Sequence, residues 1–276
     1  TVRIISQGSE QYRFSFPLYR PPVVMIHGLW SSSYTWDSLI SYLAQNQKLY
    51  SADLLYAHDY SDRSADSLKQ NSSVCDVAIK LGLGKARGLG YSAGKVDVVA
   101  HSMGGLLARV YLQDLGPHAY HGDIHKLITI GTPHSGSQAA NFILGEPFLQ
   151  LIFKKRGRPT DQGGVDDLRV DSQAIDQWLS ISQDKHLIPF HAIVGQATLS
   201  DSWITQEKLM YITVAIQRYL NTMVANLLPQ AIFRESNDLM VAVSSQEGGL
   251  PENSQTYFTH LNHMSETASG DVAKRL

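Results

Sequence analysis

A serine lies between a β-branched run and a helix-favouring run near the middle of the chain. Residues 95–105 read K-V-D-V-V-A-H-S-M-G-G, and residues 106–113 favour a helix. A serine on such a strand-turn-helix junction projects its hydroxyl from the end of a sheet, close to a helix N-terminus that stabilises negative charge. The order fits G-x-S-x-G, with Ala100 in place of the first glycine. Ser102 is therefore the candidate nucleophile, and the alternative is an ordinary buried serine at a helix start.

A serine nucleophile requires a histidine base and a carboxylate that fixes the tautomer of that histidine. In the strand-turn-helix architecture the chain order is serine, acid, histidine. Downstream of the serine, Asp238 in N-D-L-M-V and His263 in L-N-H-M-S-E fit that order. Glu235 and Glu247 are weaker candidates for the acid, and we expect them at the surface. His260 competes for the base, but His263 is favoured because it follows the last predicted strand and can reach over the edge of the sheet.

Two turns are predicted to supply the backbone N–H groups that would bind an oxyanion. The run from Pro21 ends in His27-Gly28-Leu29, where the glycine lets the chain turn so that the next N–H groups face the mouth of the sheet. We assign the Leu29 N–H to this role, together with the Met103 N–H after the serine. His27 is interpreted as a buried, hydrogen-bonded structural residue because most buried polar groups are satisfied in this way.

The remaining pattern alternates strands with helices, which is typical of α/β proteins with a mostly parallel sheet. Beyond the run before Gly28, we expect strands over 48–54, 96–99, 126–130, 189–195 and 255–260, and helices over 34–46, 64–85 and 106–115. The glycines from Gly82 onward are expected to end the second helix. We predict one domain over residues 1–276, with helices on both faces of the sheet.

Two apolar segments interrupt this alternation. We interpret residues 137–186 as an amphipathic lid over the site, although a helix packed on the sheet stays an alternative. The basic residues at 154–158 are read as a solvated loop, and contact with an anionic lipid surface is the other interpretation. Residues 200–230 form a wide apolar stripe that suits core packing or the wall of an acyl-binding cleft.

The composition excludes several classes of function. The 276 residues include 23 basic and 25 acidic side chains, and this net charge of −2 gives no sign of a nucleic-acid partner. No apolar run approaches the roughly 20 residues that span a bilayer. Cys75 is the single cysteine, so an internal disulfide is excluded and we expect a packed residue. His118, His121 and His125 lack a completing carboxylate or cysteine, so no metal site is predicted.

Five segments together resemble the bacterial triacylglycerol lipases and carboxylesterases of the α/β-hydrolase fold. They are H-G-L-W at 27–30, V-V-A-H-S-M-G-G at 98–105, I-G-T-P-H-S-G-S at 130–137, N-D-L-M-V at 237–241 and L-N-H-M-S-E at 261–266. The resemblance implies the roles already assigned to Ser102, Asp238 and His263, and to the N–H groups of Leu29 and Met103. It implies a cofactor-free lipase that acts on acylglycerols or other carboxylic esters, at a lipid-water interface, through an acyl-enzyme. It also implies secretion, while the residues alone leave a cytoplasmic location open.

Two positions depart from the family pattern. Leu239 follows the candidate acid where the family has glycine, so a different turn is expected there. Ser265 stands where calcium-binding members have aspartate, so no calcium site is predicted. The alternatives within enzymes are a short-chain carboxylesterase, a thioesterase or a phospholipase A with the same triad, since fold and triad serve all of these. A non-catalytic binding module on the same fold is the alternative from another class.

Overall fold

The fold is given by a computed structural model that describes residues 2–6, 9–14, 19–46, 50–179, 186, 188–197, 235–248, 250 and 254–275. The insertion predicted over 200–230 lies outside these residues. So does the end of the first insertion, between 180 and 185.

Six parallel strands form the central sheet, and a two-stranded antiparallel hairpin precedes it. The hairpin strands are β1 (Val2–Ser6) and β2 (Ser9–Phe14). The sheet strands are β3 (Val23–Ile26), β4 (Leu55–His58), β5 (Val96–His101), β6 (Ile124–Ile130), β7 (Phe190–Gly195) and β8 (Gln255–Thr259), in the spatial order β4-β3-β5-β6-β7-β8. Because every neighbouring pair is parallel, the carboxyl ends of the strands lie along one edge.

Helices of the described chain connect these strands. The α-helices are α1 (Asp37–Ser41), α2 (Val74–Gly88), α3 (Met103–Leu112), α4 (Gln138–Gly145), α5 (Pro147–Lys155), α6 (Gly164–Asp167), α7 (Val243–Glu247) and α8 (Gly270–Ala273). Short 3-10 turns cover Ser33–Trp36, Ala52–Leu54, Ser61–Arg63 and Glu266–Ala268, and π-helical turns cover Tyr42–Asn46 and Ala174–Trp178.

The two faces of the sheet carry separate apolar cores. Val24 and Ile26 of β3 pack on one face with residues of α2 and α3. Val23 and Met25 pack on the opposite face with residues of α1 and α8. Alternate side chains of one strand point to opposite faces, so a continuous apolar strand can be buried on both sides. The predicted arrangement of helices on both faces of a mostly parallel sheet is confirmed.

Two local predictions are wrong. The strand predicted over 48–54 is instead Leu55–His58, because Ala52–Leu54 forms a 3-10 turn and the next four residues pair with β3. The second helix, predicted over 64–85 with its end at the glycines from Gly82, instead spans Val74–Gly88, and residues 64–73 form turns and an isolated bridge. A Cβ on Gly82 would lie 2.6 Å from Cγ2 of Val24, so this glycine permits close packing of helix on sheet.

Within the described part of the chain, every helix is too short or too polar to cross a bilayer. Cys75 is fully buried in the core on the α2 face, as expected for a packed residue.

Candidate active site

Ser102 occupies a strained turn between β5 and α3. Its φ of 55° and ψ of −128° lie in a region that side-chain-bearing residues rarely adopt. The turn is tight because glycines admit close backbone neighbours: a Cβ on Gly104 would lie 2.6 Å from the carbonyl oxygen of His27. Ala100 is fully buried within β5, so its methyl group is accommodated where the motif has its first glycine. The chain thus presents the Ser102 hydroxyl at the carboxyl edge of the sheet.

The predicted acid, base and nucleophile are hydrogen-bonded in series. The Ser102 Oγ lies 2.9 Å from Nε2 of His263, and Nδ1 of His263 lies 2.7 Å from Oδ2 of Asp238. All three side chains are buried, with Asp238 fully so. Since a carboxylate only accepts, the Nδ1–H of neutral His263 donates to Asp238, which leaves Nε2 as the acceptor for the serine hydroxyl. This tautomer is the one that a general base for serine requires.

A tight turn holds Asp238 in place. Its Oδ1 accepts the N–H groups of Met240 at 2.9 Å and Val241 at 2.7 Å, and its carbonyl oxygen accepts the His263 N–H at 2.9 Å. Leu239 has a φ of 81°, a conformation that glycine adopts readily. Leucine bears the steric strain of this left-handed conformation, and the expectation that the turn differs from that of the family stays a prediction.

The two predicted oxyanion turns lie beside the serine. A Cβ on Gly28 would lie 2.7 Å from Cβ and 3.2 Å from Oγ of Ser102, so the backbone leading to Leu29 passes directly over the nucleophile. Met103 is the first residue of α3, whose N–H groups carry partial positive charge. Among the described residues, neither the Leu29 nor the Met103 N–H donates a hydrogen bond within the protein. Their role as oxyanion donors stays a prediction.

His27 is a structural residue, as predicted. It is fully buried, its Nδ1–H donates to the Gly28 carbonyl at 3.0 Å, and its Nε2 accepts the Tyr60 N–H at 3.3 Å. Burial lowers the pKa of His27, which keeps the ring in the neutral form that these bonds require. The Tyr60 ring stacks on the imidazole at 4.1 Å, and its hydroxyl donates to the His27 carbonyl at 2.6 Å. These contacts fix the turn that carries Leu29.

Two buried titratable residues beside the site were missed by the sequence reasoning. His101 donates from Nε2 to the carbonyl oxygen of His263 at 3.0 Å, and burial, followed by the neighbouring His263, lowers its pKa well below the usual value. Glu266 is fully buried, with Oε2 at 3.5 Å from Nε2 of His101. His101 precedes Ser102 in the motif, and this adjacency could have indicated that it lies beside the site. The sequence around Glu266 holds no feature that predicts its burial.

His101, His263 and Glu266 form the group of possible metal ligands found among the described residues, with ligand atoms within 4.8 Å of one another. Both ring nitrogens of His263 and Nε2 of His101 already take part in hydrogen bonds. A metal ion would therefore compete with the series of bonds to the serine.

The competing candidates lie away from this series. His260 and Glu247 are exposed, and Glu235 is exposed and accepts a hydrogen bond from the Ser244 hydroxyl at 2.8 Å.

The histidines that follow α3 do not converge on one point. His118 lies 3.8 Å from a carboxylate oxygen of Asp76, whereas His125 lies 2.7 Å from Asp97.

The first insertion packs against the turn that is predicted to carry the Leu29 N–H. The Phe153 ring of α5 stacks on Trp30 at a centroid distance of 5.2 Å, and the Trp30 indole N–H donates to the Pro159 carbonyl at 2.9 Å. Phe148 and Leu151 of the same helix are about half exposed, at 46% and 50%. The segment is thus helical and adjoins the residue after Leu29, while its behaviour as a lid stays a prediction.

A parallel sheet with a serine turn after β5 and a histidine loop after β8 defines an α/β hydrolase. Comparison with known proteins agrees: the model of the palmitoyl protein thioesterase family matches residues 22–191, and the chain belongs to this family. The predicted resemblance to lipase and esterase families of the α/β-hydrolase fold is thereby confirmed, and the protein is a hydrolase of that fold.

Solved structures of bacterial lipases and esterases share the fold at low identity. A mature lipase of Bacillus licheniformis is 19% identical with a TM-score of 0.59, over 92% of this chain and 89% of that one. Lipase 1 of Pelosinus fermentans is 15% identical with a TM-score of 0.56, over 93% and 95% of the two chains. EstA of Clostridium botulinum is 15% identical with a TM-score of 0.53, over 92% and 84%.

Proposed function

We propose that the protein is a serine ester hydrolase in which Ser102, His263 and Asp238 form the catalytic triad. The observation that carries the proposal is the pair of short hydrogen bonds, 2.9 Å from Ser102 to His263 and 2.7 Å from His263 to Asp238. The substrate class that we favour is the fatty-acyl ester, as in a lipase, in line with the family resemblance. Chemistry of this kind requires no cofactor.

The mechanism has two half-reactions. The Ser102 oxygen attacks the ester carbonyl while its proton moves to Nε2 of His263, and Asp238 stabilises the resulting imidazolium. The N–H groups of Leu29 and Met103 bind the oxyanion of the tetrahedral intermediate. The intermediate collapses as His263 gives the proton to the leaving alcohol, which leaves an acyl-enzyme on Ser102. Water, deprotonated by His263, attacks the acyl carbon, and the bond to the Ser102 oxygen breaks as His263 returns the proton to that oxygen, which releases the fatty acid.

Thioester hydrolysis is the second candidate function, and the family match favours it. The same triad serves both substrates, but their leaving groups differ. A thiol has a pKa of about 8.5 and leaves as a thiolate, whereas an alcohol requires protonation by the histidine as the bond breaks. Thioester turnover should therefore depend less on proton donation by His263 than oxyester turnover does.

The triad is tested by three single substitutions. Ser102→Ala and His263→Ala should each lower kcat by about 10⁶-fold with the fold intact, the scale found for members of such a triad. His260→Ala is the matched control and should retain near-normal turnover because that side chain is exposed. Normal esterase activity in Ser102→Ala would contradict the assignment of Ser102 as the nucleophile. An inactive His260→Ala together with an active His263→Ala would assign the base to His260 instead. Labelling by a fluorophosphonate should be lost in Ser102→Ala and retained in His260→Ala.

The substrate class is tested by p-nitrophenyl esters of rising chain length and by a palmitoyl thioester, each with and without an emulsion interface. Higher kcat/KM on long-chain oxyesters, raised further by the interface, supports a lipase. Preference for the thioester supports the second candidate, and activity confined to short esters without interfacial response contradicts both. Phe148 and Leu151 of α5 are exposed apolar side chains suited to such an interface.

The proposal includes secretion, which the family resemblance implies. It is tested by comparing activity in culture medium and in cell lysate of the native producer. Activity retained in the lysate contradicts it.

A further inference from the structure

The turn over residues 27–30, here called the Gly28 turn, ends in a tryptophan with a strained backbone. Trp30 follows Leu29 directly and has a φ of 52°, in the left-handed region where a residue with a Cβ bears a steric cost. A residue keeps such a conformation only where the surrounding structure over-determines it, and such residues cluster at functional sites. The contacts of the Trp30 side chain are therefore the place to look for what holds this turn.

These contacts come from the first insertion. The indole N–H of Trp30 donates to the carbonyl oxygen of Pro159 at 2.9 Å, across a separation of 129 residues. The indole ring also stacks on Phe153 of α5, with a centroid distance of 5.2 Å and an interplanar angle of 20°. A hydrogen bond fixes the direction of the N–H and the stack fixes the plane of the ring, so together they hold the side chain in one orientation.

A further contact joins the Gly28 turn to the same insertion. A Cβ on Gly164, the first residue of α6, would lie 2.9 Å from Cδ1 of Leu29, so the Leu29 side chain packs directly on the backbone of α6. The Gly164 N–H donates to the Ala65 carbonyl at 2.9 Å. Oδ2 of Asp167 accepts the Leu68 N–H at 2.6 Å. The part of the insertion that contacts Leu29 is thus anchored to the loop that follows β4.

The position of the Gly28 turn affects the chemistry because the turn lies next to the nucleophile. A Cβ on Gly28 would lie 3.2 Å from Oγ of Ser102, so the peptide that carries the Leu29 N–H lies beside the serine hydroxyl. An oxyanion donor acts at about 2.7 to 3.1 Å from the developing charge. A misplacement of about 1 Å is enough to cost about 10²-fold in rate.

Building on the proposed triad, we propose that Trp30 is a positioning residue that uses the first insertion, through Phe153 and Pro159, to hold the Leu29 N–H at the oxyanion. It acts through the backbone of the residue before it. The insertion thereby contributes to binding of the transition state, besides any role in covering the site. Because this N–H is needed only once the ester carbonyl becomes tetrahedral, the contribution belongs to kcat and not to KM.

The test begins with substitutions of Trp30, with kcat and KM on a soluble p-nitrophenyl ester as the readout. Trp30→Ala removes both contacts and should lower kcat by at least about 20-fold, approaching the loss of about 10²- to 10³-fold for an oxyanion donor, with KM unchanged. Trp30→Phe keeps a ring against Phe153 but loses the N–H, so its kcat should lie between those of the wild type and Trp30→Ala. Wild-type kcat in Trp30→Ala overturns the proposal.

Two further variants serve as control and as substitute. The matched control is Trp178→Phe, a partly buried tryptophan of the same insertion that packs against the core, and it should keep wild-type kcat. Phe153→Ala removes the stack from the side of the insertion and leaves the sequence of the Gly28 turn intact, so it serves if Trp30→Ala fails to fold. It should lower kcat with KM unchanged, and wild-type kcat in Phe153→Ala contradicts the proposal.

A tetrahedral inhibitor separates positioning from packing. A trifluoromethyl ketone forms a hemiketal with Ser102 whose oxyanion needs the same donors, whereas the secondary alcohol of the same skeleton binds without an oxyanion. Across the Trp30 variants, Ki of the ketone should rise by the factor by which kcat/KM falls, while Ki of the alcohol stays constant. An unchanged Ki of the ketone in a variant with lowered kcat/KM overturns the proposal.

Trp30→Gly separates the side-chain contacts from the strained backbone. Glycine adopts a φ of 52° without steric cost, so this variant should have a higher Tm than Trp30→Ala. It lacks the same contacts to Phe153 and Pro159, so its kcat should be no higher than that of Trp30→Ala. A kcat that recovers together with Tm would show a role in stability alone and overturn the proposal.

Ser102→Ala distinguishes the two levels of inference. If Ser102→Ala stays active, the proposed function fails. If it is inactive while Trp30→Ala keeps wild-type kcat, only the role of Trp30 fails.

Discussion

Substituting Gly28 by alanine should abolish most of the activity without unfolding the protein. The added Cβ would lie 2.7 Å from Cβ of Ser102, 3.1 Å from the carbonyl oxygen of His101 and 3.2 Å from the Ser102 Oγ. The first distance is shorter than carbon atoms tolerate, so either the nucleophile or the turn that carries the Leu29 N–H must shift. Displacing one oxyanion donor costs about 10²- to 10³-fold in kcat, or about 2.7 to 4 kcal/mol of transition-state stabilisation.

The assay is steady-state hydrolysis of a soluble p-nitrophenyl ester by Gly28→Ala, with Gly84→Ala as the matched control. Gly84 is exposed on α2 and a Cβ there meets no atom within 4 Å. Its substitution should leave kcat unchanged and raise stability by up to about 1 kcal/mol, because alanine favours the helix. A Gly28→Ala variant with native Tm and kcat within threefold of the wild type would refute the placement of this turn over the nucleophile.

Three further predictions concern stability. Leu239→Gly should raise the free energy of unfolding by about 0.5 to 1 kcal/mol in a denaturant titration. Glycine relieves about 1 to 2 kcal/mol of strain in the left-handed conformation, and this gain exceeds its entropic cost. A lower denaturation midpoint would contradict the prediction. Tyr60→Phe should lower the same quantity by about 1 to 3 kcal/mol, because the buried His27 carbonyl loses its 2.6 Å hydrogen bond, and an unchanged midpoint speaks against it. Burial lowers the pKa of His134 well below its usual value in the folded protein. As the pH falls below about 6.5, the histidine of the unfolded chain is therefore protonated before that of the folded protein. The free energy of unfolding should then fall by up to about 1.4 kcal/mol per pH unit. His134→Asn should remove the contribution of His134 to the pH dependence of the free energy of unfolding. Glu266 contributes with the opposite sign, and its contribution is the same in the wild type and in the variant. An equal pH dependence in the two proteins would contradict the prediction.

Much of the candidate site could be predicted because its parts leave local marks. The serine turn is marked by a valine run, by small residues around Ser102 and by a helix-favouring segment, all within residues 96–113. The order of serine, acid and histidine follows from the fold, so Asp238 and His263 could be chosen from few alternatives. The apolar strands could be located for the same reason, since burial on both faces leaves continuous runs of aliphatic residues.

Local pattern failed where a distant neighbour decided the outcome. The strand over Leu55–His58 contains Ala57, a poor strand former, and its pairing with β3 overrides that propensity. Helix α2 passes through Gly82 because its packing on Val24 compensates for a weak helix former.

The sequence by itself determined which residue types stand at which strand ends, and hence the chemistry available to this hydrolase. Only the tertiary structure decided that His263 lies 2.9 Å from Ser102 across a separation of 161 residues, and that Glu266 fills the space between two glycines behind it. The physical reason is that backbone preferences and the hydrophobic pattern that predicts burial depend on residues only a few positions apart, so a short stretch of sequence is enough to predict them. Distances between strand ends depend instead on sheet register and on the packing of both faces, which the whole chain sets together.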